Sequence, residues 1–256
     1  ETDRIPSPNT VYGIRNTEYG IRNTEKMNGT LYIVSTPIGN LKDITLRAIE
    51  ILKQVDLIAC EDTRHTKILA SHYDIKTPLT SYFEHNKVRK SKHLVSALKE
   101  GKDIALVSDA GTPGVSDPGY RFIKDAIDSG IAVTIAPGAN ALISALVLSG
   151  LPTDRFIFEG FLPAKSAARK KRLEFFKGEK RTIIFYESPH RTLASLEDMK
   201  AVFGDAHIVC ARELTKKFEE IKRGTPAELI EYFSRKKPKG EFIILINPKM
   251  KSAHSK

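Results

Sequence analysis

The sequence contains only two cysteines, Cys60 and Cys210. That is too few for a disulfide framework or, by themselves, for a zinc site. No apolar run approaches the roughly 20 residues of a membrane span, and the first residues lack the basic-then-apolar order of a secretory signal. The dinucleotide fingerprint G-x-G-x-x-G does not follow the first expected strand, and the phosphate-loop pattern G-x-x-x-x-G-K-[ST] is missing, which disfavours Rossmann dehydrogenases and P-loop NTPases. There is no H-E-x-x-H and no Cys/His cluster. His65, His72 and His85 are scattered as surface histidines are, so no metal is expected. These absences leave a reduced, soluble, cytoplasmic protein with no membrane association as the expectation.

What is present is a globular composition. The 256 residues are 41% apolar and 8% aromatic, enough for one large domain or two small ones. Formal charge is +10 and uneven: residues 27–150 carry 14 basic and 13 acidic groups, residues 151–256 carry 23 and 14. A neutral half joined to a basic half suggests a polyanion facing the second, against the alternative of a merely solubilising surface.

Residues 1–26 look foreign to the fold. Tyr12 to Glu18 is repeated without change as Tyr19 to Glu25, and two copies of seven residues cannot bury a core. They are expected to be a disordered or foreign leader. From Leu31 onward short apolar strands alternate with helical spacing. Strands are expected at 31–34, 55–59, 78–82, 103–107 and 132–136, with helices at 45–54, 86–100, 119–129 and 139–149. This is the order of a parallel α/β sheet. At Ser149-Gly150-Leu151-Pro152 the pattern breaks where the charge changes. Strands at 155–159, 182–186, 207–210, 218–223 and 241–246, with helices at 167–177, 191–203 and 226–234, predict a mixed sheet. The expectation is an N-terminal α/β domain over 27–150, a C-terminal α/β domain over 151–248 and a basic tail over 249–256.

Ligands of open α/β sheets bind beyond the carboxyl ends of the strands. The loops there are Ser35 to Asn40, the Gly/Pro-rich Ser108 to Gly119, and Ala136 to Asn140. Glycines in such loops let the backbone approach a ligand, although any one of them also reads as an ordinary tight turn.

Five motifs stand in order: Ser35-Thr-Pro-Ile-Gly-Asn-Leu41, Glu61-Asp-Thr-Arg64, Ser108-Asp-Ala-Gly-Thr-Pro113 with Ser116-Asp-Pro-Gly119, Tyr186-Glu-Ser-Pro-His-Arg191, and Ala211-Arg-Glu-Leu-Thr-Lys216. Together they resemble the ribosomal RNA small subunit methyltransferase I family, a branch of the tetrapyrrole-methylase superfamily, over nearly the whole chain after the leader. The resemblance implies a homodimeric two-domain enzyme with a cofactor cleft between the domains. It would use S-adenosylmethionine to methylate the ribose 2′-oxygen of a decoding-centre cytidine in 16S ribosomal RNA of the small subunit. Carried over by position, Pro37, Asp109, Ala110, Gly111, Pro113, Ser116, Asp117 and Ala139 would line the cofactor cleft.

Asp109, at a strand end, can accept hydrogen bonds from a ligand or cap its own turn. Glu61, Asp62 and Arg64 face either substrate or one another. For the general base that a ribose hydroxyl requires, Glu187, His190, Glu213 and Lys216 are all candidates. Lys170, Lys171 and Arg172, within a stretch of eight basic and two acidic residues over 165–181, are expected on RNA phosphates, with Arg191 and Arg212. A second basic cluster occupies 235–239. Two competing readings are a precorrin-type tetrapyrrole methylase and a non-catalytic ribosome-binding factor. The basic second half disfavours the first, and the intact Gly/Pro loops disfavour the second.

Overall fold

The computed structural model describes residues 28–82, 87–117 and 119–251, without the side chains of Lys87 and Val88. The expected leader, His85, and residues 252–256 of the basic tail lie outside the described residues.

Strands β1 (Thr30–Val34), β2 (Leu57–Cys60), β3 (Leu79–Ser81), β4 (Ile104–Val107) and β5 (Ala132–Ala136) form the first sheet in the order β3-β2-β4-β1-β5. Every pair in it is parallel. Four helices cover its faces: α1 (Leu46–Gln54), α2 (Thr63–His72), α3 (Lys87–Lys99) and α4 (Tyr120–Asp128). Strand β4 is buried throughout because its side chains leave on alternate faces, both covered. Ile104 and Leu106 share a core with Leu94, Leu98 and Phe122 of α3 and α4. Ala105 and Val107 share the other with Ile51, Leu52 and Leu69 of α1 and α2. Helix α2 has no counterpart in the sequence expectation, since its first turn is polar and Ile68 is 61% exposed. Its start is set by Asp62, whose carboxylate accepts the Arg64 amide at 2.8 Å.

The second sheet runs β6-β7-β10-β8-β9, from β6 (Phe156–Phe161), β7 (Thr182–Glu187), β8 (Ala206–Arg212), β9 (Glu220–Gly224) and β10 (Phe242–Lys251). Only β6 and β7 are parallel, so the sheet is mixed, as expected. One face carries α6 (Ser166–Phe175), α7 (Thr192–Phe203) and α8 (Pro226–Arg235), with Leu173, Leu196, Met199 and Phe233 packed on Ile183, Phe185 and Ile244.

The other face is taken by α5 (Ala141–Ser149), a helix that precedes the expected junction near residue 150. Leu142, Ala145 and Leu146 pack with Ile184, Val209, Ala211 and Leu245 of the second sheet. Arg223 of β9 donates to the Ser149 carbonyl at 3.0 Å and to the Leu148 carbonyl. It thereby satisfies carbonyls that a helix C-terminus leaves open. The last helix before the junction thus packs on the second sheet rather than on the first.

Candidate active site

Strands β1 and β4 are neighbours, yet the chain leaves β1 toward β2 and leaves β4 toward β5, on opposite sides. A crevice opens at the carboxyl ends of such a pair. The two loops there are tied together. The Thr36 amide donates to the Gly111 carbonyl at 2.9 Å, and the Gly111 amide returns to Thr36 at 3.1 Å. The Thr36 hydroxyl donates to the Ser108 carbonyl at 3.1 Å. Gly111 holds φ +81°, and a Cβ there would come within 3.5 Å of Ile38 Cγ2.

From this crevice a cleft of about 330 Å³ reaches the second sheet, the lower end of the range for small-molecule sites. The first half contributes Ile38, Ala110, Gly111 and Ala141, and the second contributes Ala211, Leu214 and Ile243. Gly39 allows the closure: a Cβ there would lie 2.4 Å from Lys216 Cγ and 2.8 Å from the Leu214 carbonyl. Ser116 (φ 63°), Glu213 (φ 50°) and Thr215 (φ 63°) are three of the four non-glycine residues with positive φ among the described residues. Two of them line the cleft and the third adjoins it. Such strain persists where a site over-determines the backbone, and nothing in the sequence announces it.

Of the expected cofactor residues, Ala110, Gly111, Ser116 and Asp117 line this cleft. Pro37 and Asp109 line a smaller neighbouring pocket of about 60 Å³ together with His65. There Asp109 accepts the Asp62 amide at 3.1 Å, and its other oxygen lies 3.6 Å from His65 Nδ1. Pro113 and Ala139 fall outside the lining, although Asn140, which caps α5 by accepting the Ile143 amide, is part of it.

The four candidate bases are not equivalent. Glu187 is buried with its carboxylate filled: Ser195 Oγ donates at 2.5 Å, the Ser188 amide at 2.8 Å, and Arg191 Nε lies 3.2 Å away. Lys216 Nζ bridges Glu213 at 3.0 Å and Glu241 at 2.9 Å. Burial works against the Lys216 charge, but the two carboxylates outweigh it and hold its pKa above the ordinary lysine value. Burial likewise opposes ionisation of Glu213, yet the Glu241 amide and Lys216 hold it below the ordinary range. His190 is exposed and outside the lining. Asp117 differs from all of these. Burial, reinforced by the charges of Asp109 and Glu241 and only partly opposed by the Ser108 hydroxyl, pushes its carboxyl up to about 6.

The expected RNA contacts also divide. Arg191 is tied to Glu187 and donates to the Leu162 carbonyl. Arg212 is buried beside Glu220 at 3.3 Å, and Arg172 is paired with Glu159 at 2.5 Å and lies over Phe175 and Phe176. Lys170 is half-exposed, 3.4 Å from Asp198, and Lys171 is exposed. Sequence reasoning singles out neither Phe161 nor Glu241, both of which line the cleft. Phe161 lies just past the strand expected at 155–159, and Glu241 reads as a strand start.

Residues 30–230 match the family of tetrapyrrole (corrin/porphyrin) methylases. The ribosomal RNA small subunit methyltransferase I of Halalkalibacterium halodurans is 53% identical over 218 residues, covering 85% of this chain and 75% of that protein. The protein of the same name from Haemophilus influenzae is 53% identical over 229 residues, covering 88% and 81%. Among solved structures, a cobalt precorrin-4 methyltransferase shares the fold with a TM-score of 0.64 at 18% identity, over 85% of this chain and 94% of that one. The chain therefore belongs to the tetrapyrrole methylase family, in the branch of the ribosomal RNA small subunit methyltransferases I.

Proposed function

We propose that this chain transfers a methyl group from S-adenosylmethionine to the ribose 2′-oxygen of a decoding-centre cytidine in 16S ribosomal RNA. The observation that carries the reading is the 53% identity to methyltransferases of that name, with four of the five motifs contributing residues to one cleft. The residues present suit the methyl donor. Ile38, Ala110, Ala141 and Leu214 offer apolar walls to an adenosine, Gly111 brings backbone close with no side chain between, and Asp117 and Glu241 complement a positive sulfonium.

When bound, S-adenosylmethionine supplies a methyl group already activated on sulfur, so alignment and exclusion of water carry much of the catalysis. What the protein must add is a base. Lys216 is held as an ammonium and Glu187 is already saturated with donors. Asp117, ionised at neutral pH and more basic than an ordinary aspartate, takes the 2′-hydroxyl proton. The methyl group would pass from sulfur to that oxygen, and the donor would leave as a neutral thioether. Lys170 and Lys171 of α6 supply phosphate contacts, whereas Arg172, Arg191 and Arg212 hold the second half together. The enzyme works as a homodimer, which covers the outer face of α5, where Ile143 and Val147 are 45% and 69% exposed.

The test is transfer of labelled methyl to small ribosomal subunits, with a free tetrapyrrole as competitor. Label on the ribose of the RNA is expected. Label on the tetrapyrrole, or RNA binding without transfer, overturns the reading.

A further inference from the structure

Phe161 ends β6 with 55% of its surface exposed, at the cleft rather than on an outer face. Its placement depends on one irregularity. Phe158 pairs with Ile184 and Phe161 pairs with Tyr186, so three steps on β6 match two on β7. In a regular strand, residues three apart face opposite sides. The extra residue restores Phe161 to the side of Phe158 and Tyr186, as bulges near active sites do when they re-aim a side chain. Gly160, with φ +73°, sits within the irregularity, and a Cβ there would lie 3.6 Å from Ser116 Oγ. The ring itself is braced edge-on to Tyr186, with centroids 5.7 Å apart at 63°. Immediately after Phe161 the chain turns into α6 with its exposed Lys171.

An exposed, braced aromatic at a carboxylate-bearing cleft, a few residues before a basic helix in the chain, has the chemistry of a nucleobase platform. A base in folded RNA must leave its stack before its ribose can enter such a cleft, and stacking on an aromatic face offsets that loss. We propose that Phe161 stacks on the unstacked base of the target nucleotide, so that its ribose meets Asp117. This rests on the function proposed above.

The experiment is steady-state methyl transfer to small ribosomal subunits by wild type and by Phe161→Ala, Phe161→Leu and Phe161→Trp, with S-adenosylmethionine affinity measured separately by calorimetry. Phe161→Ala is expected to raise the KM for subunits by about tenfold or more, the range seen when a base loses an aromatic neighbour, with S-adenosylmethionine affinity unchanged. Phe161→Trp should restore the wild-type KM and Phe161→Leu should not. Restoration by leucine, an unchanged KM in Phe161→Ala, or a matching loss of S-adenosylmethionine affinity overturns the platform. A wild-type enzyme that transfers no methyl to RNA instead sinks the functional reading itself, before any variant is compared.

Discussion

The two halves meet the cleft with different materials. The parallel half, with 14 basic and 13 acidic residues over 27–150, presents backbone: the Thr36–Gly111 bridge, a left-handed glycine and loops too short in side chain to obstruct a ligand. The mixed half, with 23 and 14, presents side chains, and most of those at the cleft arrive already paired. At the cleft Arg191 holds Glu187 and Lys216 is shared between Glu213 and Glu241, and outside its lining Arg212 is paired with Glu220. The lesson is that charge counted along a chain is not charge available to a partner. Even within 165–181 the stretch is internally committed: Arg169, Lys170, Arg172, Lys177 and Arg181 each have a carboxylate within reach, at 2.7, 3.4, 2.5, 3.5 and 2.7 Å.

The comparison can be broken most sharply at Asp117, the acidic group of the neutral half. Asp117→Asn should lower the single-turnover rate by about 10²–10⁴-fold, the usual contribution of a positioned base, without weakening S-adenosylmethionine binding beyond about tenfold. Because the unprotonated carboxylate is the active form, the wild-type rate should fall as pH drops through about 6. It should level off above that, and the variant should lose this limb. An unchanged profile in Asp117→Asn would move the base elsewhere.

Next in size is the contrast inside the basic stretch. Arg169 and Asp198 are buried, with 3% and 6% of their side chains exposed. Arg169→Ala leaves the buried Asp198 carboxylate with only Lys170 and the Ser166 hydroxyl as partners and should cost about 1–3 kcal/mol in denaturant unfolding. Lys171→Ala should leave stability within about 0.5 kcal/mol of wild type.

A smaller effect separates exposed from buried charge. Replacing both Lys170 and Lys171 with alanine should flatten the log–log salt dependence of RNA binding by up to about two units in the duplex limit. Removing Arg212 should leave the slope unchanged while lowering the melting temperature. If Arg212→Ala flattens the slope instead, the buried pair opens to bind RNA and the division proposed here fails.

The last prediction concerns α5, the helix before the junction that packs on the second sheet. Val147→Glu places a charge on its exposed apolar face, and a homodimer using that face should dissociate at micromolar concentration in sedimentation velocity. Persistence of a dimer would assign the interface to another surface.

Much of this architecture was legible in the sequence because each element carries a local signal. Strand β4 is a buried apolar run, α8 opens on a Thr225–Glu228 capping box with Pro226 at its first turn, and turn residues separate the elements. Helix α2 was not legible. Its polar first turn has no apolar period, and its start depends on an Asp62 carboxylate whose own amide is held by Asp109, distant in sequence. The Gly/Pro loops marked the site for a similar local reason, since a backbone that must approach a ligand leaves its trace in composition. Pro37 and Asp109 belong to those loops yet face the smaller pocket, because the loops after β1 and β4 each turn one flank toward α2 and the other toward the second sheet.

The sequence by itself determined the alternation of strands and helices, the parallel and the mixed sheet, the charge asymmetry and the motifs that mark the family. Each of these depends on residues near one another in the chain or on a simple sum over it. Only the tertiary structure decided that α5 packs on the second sheet, that Arg191 and Arg212 are already paired, and that Phe161 faces the cleft. Those outcomes depend on contacts between distant segments and, for Phe161, on one extra residue in β6. A single added residue reverses which side of a strand the next side chain occupies, and no periodicity in the sequence records it.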